Sequence, residues 1–288
     1  MSPLAAPSQR STSPYPAAVP AAIAAPTFLL PRRTRPQVEA LVTFVATASA
    51  VARDPEVAAE QRLARLTAWD SVLAGERPAG DDDVYGTLGV LAAAETSSEP
   101  LRLLLQGAAK DVRTTRMRRW SELLSYCRFA AAPAGRFLVE LHGEDRSLVP
   151  AAEALAVAIR LTAVASDCGT DYASGGRIYL PADWMREAGC GEADLAASRA
   201  SPALRTVLAR LDDRVRHLMG EARPGLAAIA DPGLRRFAVS VAALAELQAR
   251  AIARRDPLRR PVRPSIAGYW LCVGRAVAGD VLRRRTRR

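Results

Sequence analysis

Two carboxylates four residues apart, Asp167 and Asp171, stand ahead of a Gly175-Gly176 pair and Arg177 in the run DCGTDYASGGRIYLP. On a helix, side chains at i and i+4 leave one face about a turn apart. Like charges that close repel unless a cation lies with them, and oxygen donors at this spacing suit Mg²⁺ shared with a diphosphate. A solvated helix face satisfies the same spacing, so the pair alone does not choose. The continuation weighs toward chemistry, because a glycine turn followed by Arg177 sets a guanidinium just beyond the helix end, where it could hold the phosphate that the metal bridges.

The elements that must position these groups read as helices almost throughout. Ala/Leu/Val/Arg segments with helical periodicity are predicted at 35–53, 56–75, 84–95, 100–114, 118–141, 148–172, 202–219, 232–255 and 264–284. Breaks are predicted at Asp54-Pro55, Glu76 to Asp83, Glu99-Pro100, near Gly143, at Gly175-Gly176 and around Pro257 to Pro264. Strand signals are nearly absent, aromatic residues are only 5% of the chain, and the fold class expected is all-α. Leu155, Ile159 and Val164, with Leu161 alongside, give the 148–172 helix a core face. Residues 1–26 are rich in Pro, Ala and Ser and are set apart as a disordered leader to a single domain over 27–288.

With those motifs in hand, the chain resembles the squalene/phytoene synthase family, whose bacterial members run a second Asp-rich helix into a GRxYLP segment. The likeness extends in order over residues 28–265. Phe28-Leu-Leu-Pro31 with Arg35 is similar to the family's lead-in to its first Asp-rich helix, and Ala68-Trp69 falls in the next helix. Lys110-Asp111 through Arg116, then WSELLSYCRFAAAPAGRFLVELHG from Trp120, resembles its Tyr-Cys and Pro-x-Gly-Arg segment; Ala222-Arg223-Pro224-Gly225 matches the start of its C-terminal helices. The resemblance implies the class I isoprenoid synthase bundle with a central cavity, and Mg²⁺-assisted loss of diphosphate from a prenyl diphosphate. It implies Asp167 and Asp171 as metal ligands and Arg177 as a diphosphate ligand, with Lys110, Arg113 and Arg116 as helpers. Tyr126 and Tyr179 would line the cavity and steady the allylic cation.

The departures from the family matter as much. Where two-donor members carry a first Asp-rich motif, this chain has Ser49-Ala50-Val51-Ala52-Arg53, which sets a fixed cation where metal charge would have been. Ala163 and Ser166 stand in place of the family's Asn and Gln, and Phe129 in place of a Tyr. One metal motif kept and the other lost predicts a single prenyl donor and a different, aromatic acceptor, as in phytoene-synthase-like prenyltransferases of bacterial natural-product pathways. Thr47, Ser49, Ala50, Phe129, Ala163 and Ser166 would form the acceptor pocket, with Arg53 near the diphosphate. The alternatives kept open are a divergent synthase joining two prenyl diphosphates head to head, and a non-catalytic helical partner protein.

Charge, cysteines and histidines narrow the rest. The net charge of +10 is almost wholly Arg, since Lys110 is the only lysine, and it identifies no partner by itself. The cluster Arg283, Arg284, Arg285, Arg287 and Arg288 suits either solvent or peripheral contact with an anionic membrane face; nucleic acid is not expected, because no accompanying signature is present. Cys127, Cys168, Cys190 and Cys272 are scattered with no CxxC and are expected reduced. His142 and His217 lack ligand-spaced partners, and Asp81-Asp82-Asp83 reads as a solvated loop. With no run of about 18 apolar residues and no basic-then-apolar leader, a cytoplasmic chain is expected.

Overall fold

The computed structural model describes residues 26–76, 78, 83–259 and 261–285, with the side chains of 83 and 283–285 left aside. The Pro/Ala-rich leader up to residue 25, the acidic side chains of 81–83 and the basic side chains of 283–288 lie outside the described residues. Twelve α-helices follow one another among those described: α1 (Arg35–Arg53), α2 (Ala59–Leu73), α3 (Asp83–Ala92), α4 (Glu99–Arg113), α5 (Trp120–Ala130), α6 (Ala132–Leu141), α7 (Val149–Gly175), α8 (Ala182–Glu187), α9 (Glu192–Ala196), α10 (Pro202–Ala228), α11 (Pro232–Arg254) and α12 (Ile266–Arg285). Two 3₁₀ turns, Thr27–Leu29 and Arg146–Leu148, lead into α1 and α7.

α7 is the central element. Its residues from Leu155 to Gly169 are buried on nearly every side except Arg160, because α6 packs on one flank and α10 on another, with α5, α9 and α11 closing the rest. Two glycines let those flanks approach. A Cβ on Gly135 of α6 would lie 2.5 Å from the carbonyl carbon of Ala152, and one on Gly225 of α10 would collide with the Ala151 methyl. α7 is long and apolar enough to cross a membrane by length and composition, but 61% of its most apolar window is buried within the protein. A core helix satisfies that test as well as a span does.

The buried apolar side chains fall into two main clusters. One gathers Leu41, Phe44, Leu66, Trp69, Leu88, Leu101, Leu104 and Phe137 among α1 to α4 and α6; the other gathers Leu123, Ile159, Leu161, Trp184, Leu211, Phe237 and their neighbours around α7. α4 shows why such short helices form: Leu101, Leu104, Leu105, Ala108 and Val112 make one buried stripe.

Three expectations need correction. The single helix over 118–141 is two, broken at Ala131 (φ −141°, ψ −44°) two residues before Pro133, which lacks an N–H to continue the ladder. The helix predicted to stop at 219 runs to Ala228 with Pro224 inside it, because packing against α7 and α11 outweighs the local cost of proline. The short helices α8 and α9, too brief to show a period, were not expected.

His142 and His217 settle into structural and surface roles. His142 Nδ1 donates to the Leu138 carbonyl (2.9 Å), so Nε2 accepts from the Thr34 hydroxyl (2.9 Å), while His217 faces Glu221 on the surface. All four cysteines are free; burial pushes the Cys168 thiol up to about 12, which leaves it an inert filler between the two aspartates.

Candidate functional site

α7 ends where Gly176 turns into the left-handed region (φ 61°), and the Arg177 N–H bonds back to the Asp171 carbonyl at 3.1 Å. The chain then runs extended beside the α4–α5 loop. Ile178 N–H donates to Thr115 O (2.9 Å) and Met117 N–H to Ile178 O (3.1 Å). Alternation along that short bridge turns Arg177 and Tyr179 to the same side, toward the ends of α1 and α4. Buried Arg177 donates to Asp111 O at 2.7 Å and Ala52 O at 3.5 Å, carbonyls in the last turns of α4 and α1, where a cation is favoured. Tyr179 donates its hydroxyl to Asp111 Oδ1 at 2.5 Å.

Asp111, 2% exposed, is the hub. Arg53 Nε reaches its Oδ2 at 3.1 Å, and Arg53 Nη1 reaches Asp171 Oδ1 at 3.2 Å, so one guanidinium bridges two carboxylates from different helices. Burial pushes the Asp111 carboxyl up, but Arg53, Arg160, the Tyr179 hydroxyl and Arg177 together outweigh it and hold it below the usual carboxylate range. At Asp171 burial wins: its carboxyl is pushed up, against the opposing pull of Arg53 and Arg160. Asp167 is gripped by Arg263, with Nη1 at 2.9 Å from Oδ1 and Nη2 at 3.2 Å from Oδ2. Ser166 sets that partner in place: its Oγ accepts from Val262 N–H (2.9 Å) and Arg263 Nη1 (2.8 Å).

Beside this cluster opens an apolar cavity walled by Leu41, Val42 and Val45 of α1, Leu104 and Ala108 of α4, Ala134 of α6 and Ile159 of α7. Its polar end is Ser49, Asp111, Tyr126 and Arg160. Arg160 Nη2 donates to the Tyr126 hydroxyl at 2.5 Å, and Tyr126 stacks on Tyr179 with ring centroids 5.4 Å apart. Arg53 lies 5.4 Å from the Tyr179 ring, and Arg160 lies 5.3 and 5.5 Å from the Tyr126 and Tyr179 rings. The ring pair expected to steady a carbocation thus already has guanidinium groups over it. Arg53 Nη2 and Arg160 Nε are buried donors with no hydrogen-bond partner among the described residues.

The other expected ligands sit further out. Lys110 rests over the Phe129 ring at 3.3 Å, and with exposed Arg113 it rims a second, basic cleft that shares Tyr126 as a wall. Arg116 clasps the Gly176 carbonyl and Glu192 (3.1 Å to both oxygens), which fastens the end of α7 from outside. The six residues expected to form an acceptor pocket are not brought together. Ser49 lines the cavity, whereas Thr47 bonds back to Thr43 O (2.8 Å), Phe129 lies under Lys110, and Ser166 is held by Val262 and Arg263. Ala163 is core, and Ala50 is half-buried on α1.

Three residues of the site are absent from the sequence-based set: Asp111, Arg160 and Arg263. Arg160 had a signal, being a lone arginine in an apolar helix seven residues before Asp167 and so two turns along its face. The donor set does not suit Mg²⁺. Mg²⁺ shared with a diphosphate needs one or two open carboxylates, and both carboxylates of the α7 pair are engaged by guanidinium groups.

Known proteins place this geometry. Residues 21–269 match the squalene/phytoene synthase family. The chain is 31% identical over 254 residues to a hydroxysqualene synthase of Rhodopseudomonas palustris (88% of this chain, 86% of that one) and 32% identical over 237 residues to one of Zymomonas mobilis (82% and 80%). The crystal structure of squalene synthase HpnC from Alicyclobacillus acidocaldarius superposes with TM-score 0.68 at 25% identity, covering 81% of this chain and 87% of that one. A bundle with its cavity beside the α7 carboxylates, a GRxYLP strap, and likeness along most of both chains lead to one conclusion: the chain belongs to the squalene/phytoene synthase family.

Proposed function

We propose that the chain forms a C30 isoprenoid alcohol of the hydroxysqualene type by ionising one preassembled C30 isoprenoid diphosphate and capturing the cation with water. The observation that carries this reading is the single polar end of the cavity: Ser49, Asp111, Tyr126 and Arg160 line it, Arg53 ties Asp111 to Asp171 of α7 behind it, and α1 brings Ser49 and Arg53 instead of a second acidic set. The C–O bond breaks with its electron pair leaving on the diphosphate, water oxygen bonds the carbocation, and the water proton passes to the departing diphosphate. The site's cationic side chains lower the barrier by stabilising negative charge as it develops on the leaving oxygen, and the apolar walls of α1, α4 and α7 enclose the chain. The relatives' names favour this over transfer to an aromatic acceptor, for which the cavity offers no assembled pocket.

The test supplies the purified chain with farnesyl diphosphate alone, with a C30 monodiphosphate, and with a donor plus a panel of aromatic acceptors. The expected result is one diphosphate released per C30 alcohol, from the C30 substrate only, with ¹⁸O from labelled water in the hydroxyl. Two diphosphates released per C30 product from farnesyl diphosphate would mean head-to-head condensation; a prenylated aromatic would restore the acceptor reading; no product under any condition would leave a helical partner protein.

A lipid-facing role for α12 accompanies a substrate this apolar. Ile266, Trp270, Leu271 and Leu282 of α12 expose 56–82% of their surface, with Phe28 against Trp270 (5.6 Å between rings), and the Arg-rich end of the chain follows. Apolar anchoring beside basic residues suits an anionic interface. Co-sedimentation with vesicles containing anionic lipid, lost in Trp270→Glu/Leu271→Glu, is the expected outcome; equal partitioning of the variant would remove it.

A further inference from the structure

We infer that this chain binds its diphosphate without a divalent metal, with Arg53 and Arg160 supplying the positive charge directly. The inference rests on the reading above that the cavity mouth takes an isoprenoid diphosphate. Arg53 already occupies the space between Asp111 and Asp171, bonded to both, so a metal held on Asp171 would have to displace a buried guanidinium rather than fill a gap. Asp167 is closed off in the same way by Arg263.

The charge balance points the same way. Among the described residues the groups gathered at the polar end of the apolar cavity are three guanidiniums (Arg53, Arg160, Arg177) and two carboxylates (Asp111, Asp171), one formal positive charge more than negative. Two donors of that cluster, Arg53 Nη2 and Arg160 Nε, are buried with no acceptor among the described residues. An unpaired buried donor costs free energy that an incoming oxygen recovers, and guanidinium is the side chain best shaped for phosphate oxygens. Arg160 lines the cavity and Arg53 touches the ring pair at its end, so a diphosphate on these two donors would leave its hydrocarbon tail facing the apolar walls.

The experiment titrates the full chain with farnesyl S-thiolodiphosphate, which does not ionise readily, by calorimetry in chelator and again in millimolar Mg²⁺, and separately titrates the protein with Mg²⁺ alone. Expected are affinities within about twofold in the two buffers, no heat from Mg²⁺ alone, and binding at least about tenfold weaker in Arg160→Gln, the scale for one lost charge-assisted hydrogen bond. Arg160→Gln leaves Asp111 paired with Arg53, and its thermal melt, expected near that of the wild type, separates lost binding from lost fold. Binding that needs Mg²⁺, or full affinity in Arg160→Gln, overturns the inference while leaving the proposed reaction standing. No binding in either buffer also overturns the inference, while the C30 monodiphosphate assay above decides the reaction separately.

Discussion

Replacing Asp111 by alanine is expected to destabilise the fold by about 3–5 kcal/mol, the scale for removing one partner of a buried ion pair. The carboxylate accepts from Arg53 and Tyr179 and sits beside Arg177, so alanine leaves Arg53 with one partner and adds to an excess of positive charge already present. Urea denaturation would show the midpoint falling with little change in slope. Asp111→Asn, which keeps an acceptor for Tyr179 but not the charge, should fall between; a cost below about 1 kcal/mol for alanine would place the group in a wetter setting than its burial indicates. The acid limb follows from the sign of the shift. Because the folded-state pKa of Asp111 is depressed, its contribution is complete above the unfolded value near 3.9 and is lost as pH falls through the lower folded value. Asp171, whose carboxyl is raised, has the opposite sign: it opposes folding at neutral pH, and that penalty is relieved as pH falls through its folded value. Asp111→Asn should therefore flatten the loss of stability at the most acidic end.

Gly135→Ala is the second large effect, and it acts through shape alone. The added methyl would stand 2.5 Å from the Ala152 carbonyl carbon and 2.8 Å from the Glu153 nitrogen, both backbone, so α6 and α7 must separate. A cost of about 3 kcal/mol is expected, the upper end for overpacking, since no flexible side chain can yield. Gly220→Ala in α10 is the control, because its Cβ meets nothing within 4 Å; there the helix propensity of alanine should raise stability by about 0.5–1 kcal/mol. Paired thermal melts of the two variants check both, and similar shifts would mean that the α6–α7 approach is softer than its geometry.

Much of this architecture is legible before any coordinates, and the reasons divide cleanly. Helical periodicity finds the long helices because their core stripes are local, as in α4. It fails where tertiary packing overrules a local signal, as where Pro224 does not stop α10, and where a local signal passes unread, as at Pro133, ahead of which the helix breaks at Ala131. At the site, Arg53 is readable as a cation standing in a metal's place, and its Nη1 lies 3.2 Å from Asp171. Arg263 is invisible by comparison, since it pairs with a carboxylate 96 residues away through a loop with no motif of its own. The expected acceptor set has no local signal to gather it: Ser166 bonds Val262 and Arg263, and Phe129 lies under Lys110.

The two apolar clusters, one among α1 to α4 and α6 and one around α7, touch through Leu138 and Leu141 of α6, and the ion network of Arg53, Asp111, Asp171 and Arg177 also ties α1 and α4 to α7. Two oil-like bodies joined by a polar seam need not open together: amides in α1 to α4 should exchange with solvent through a smaller opening than those of α7. A ligand that bonds to the seam ties both bodies to one event. Saturating anion should raise protection in α2 and α3, far from any contact with it, and merge two unfolding steps into one.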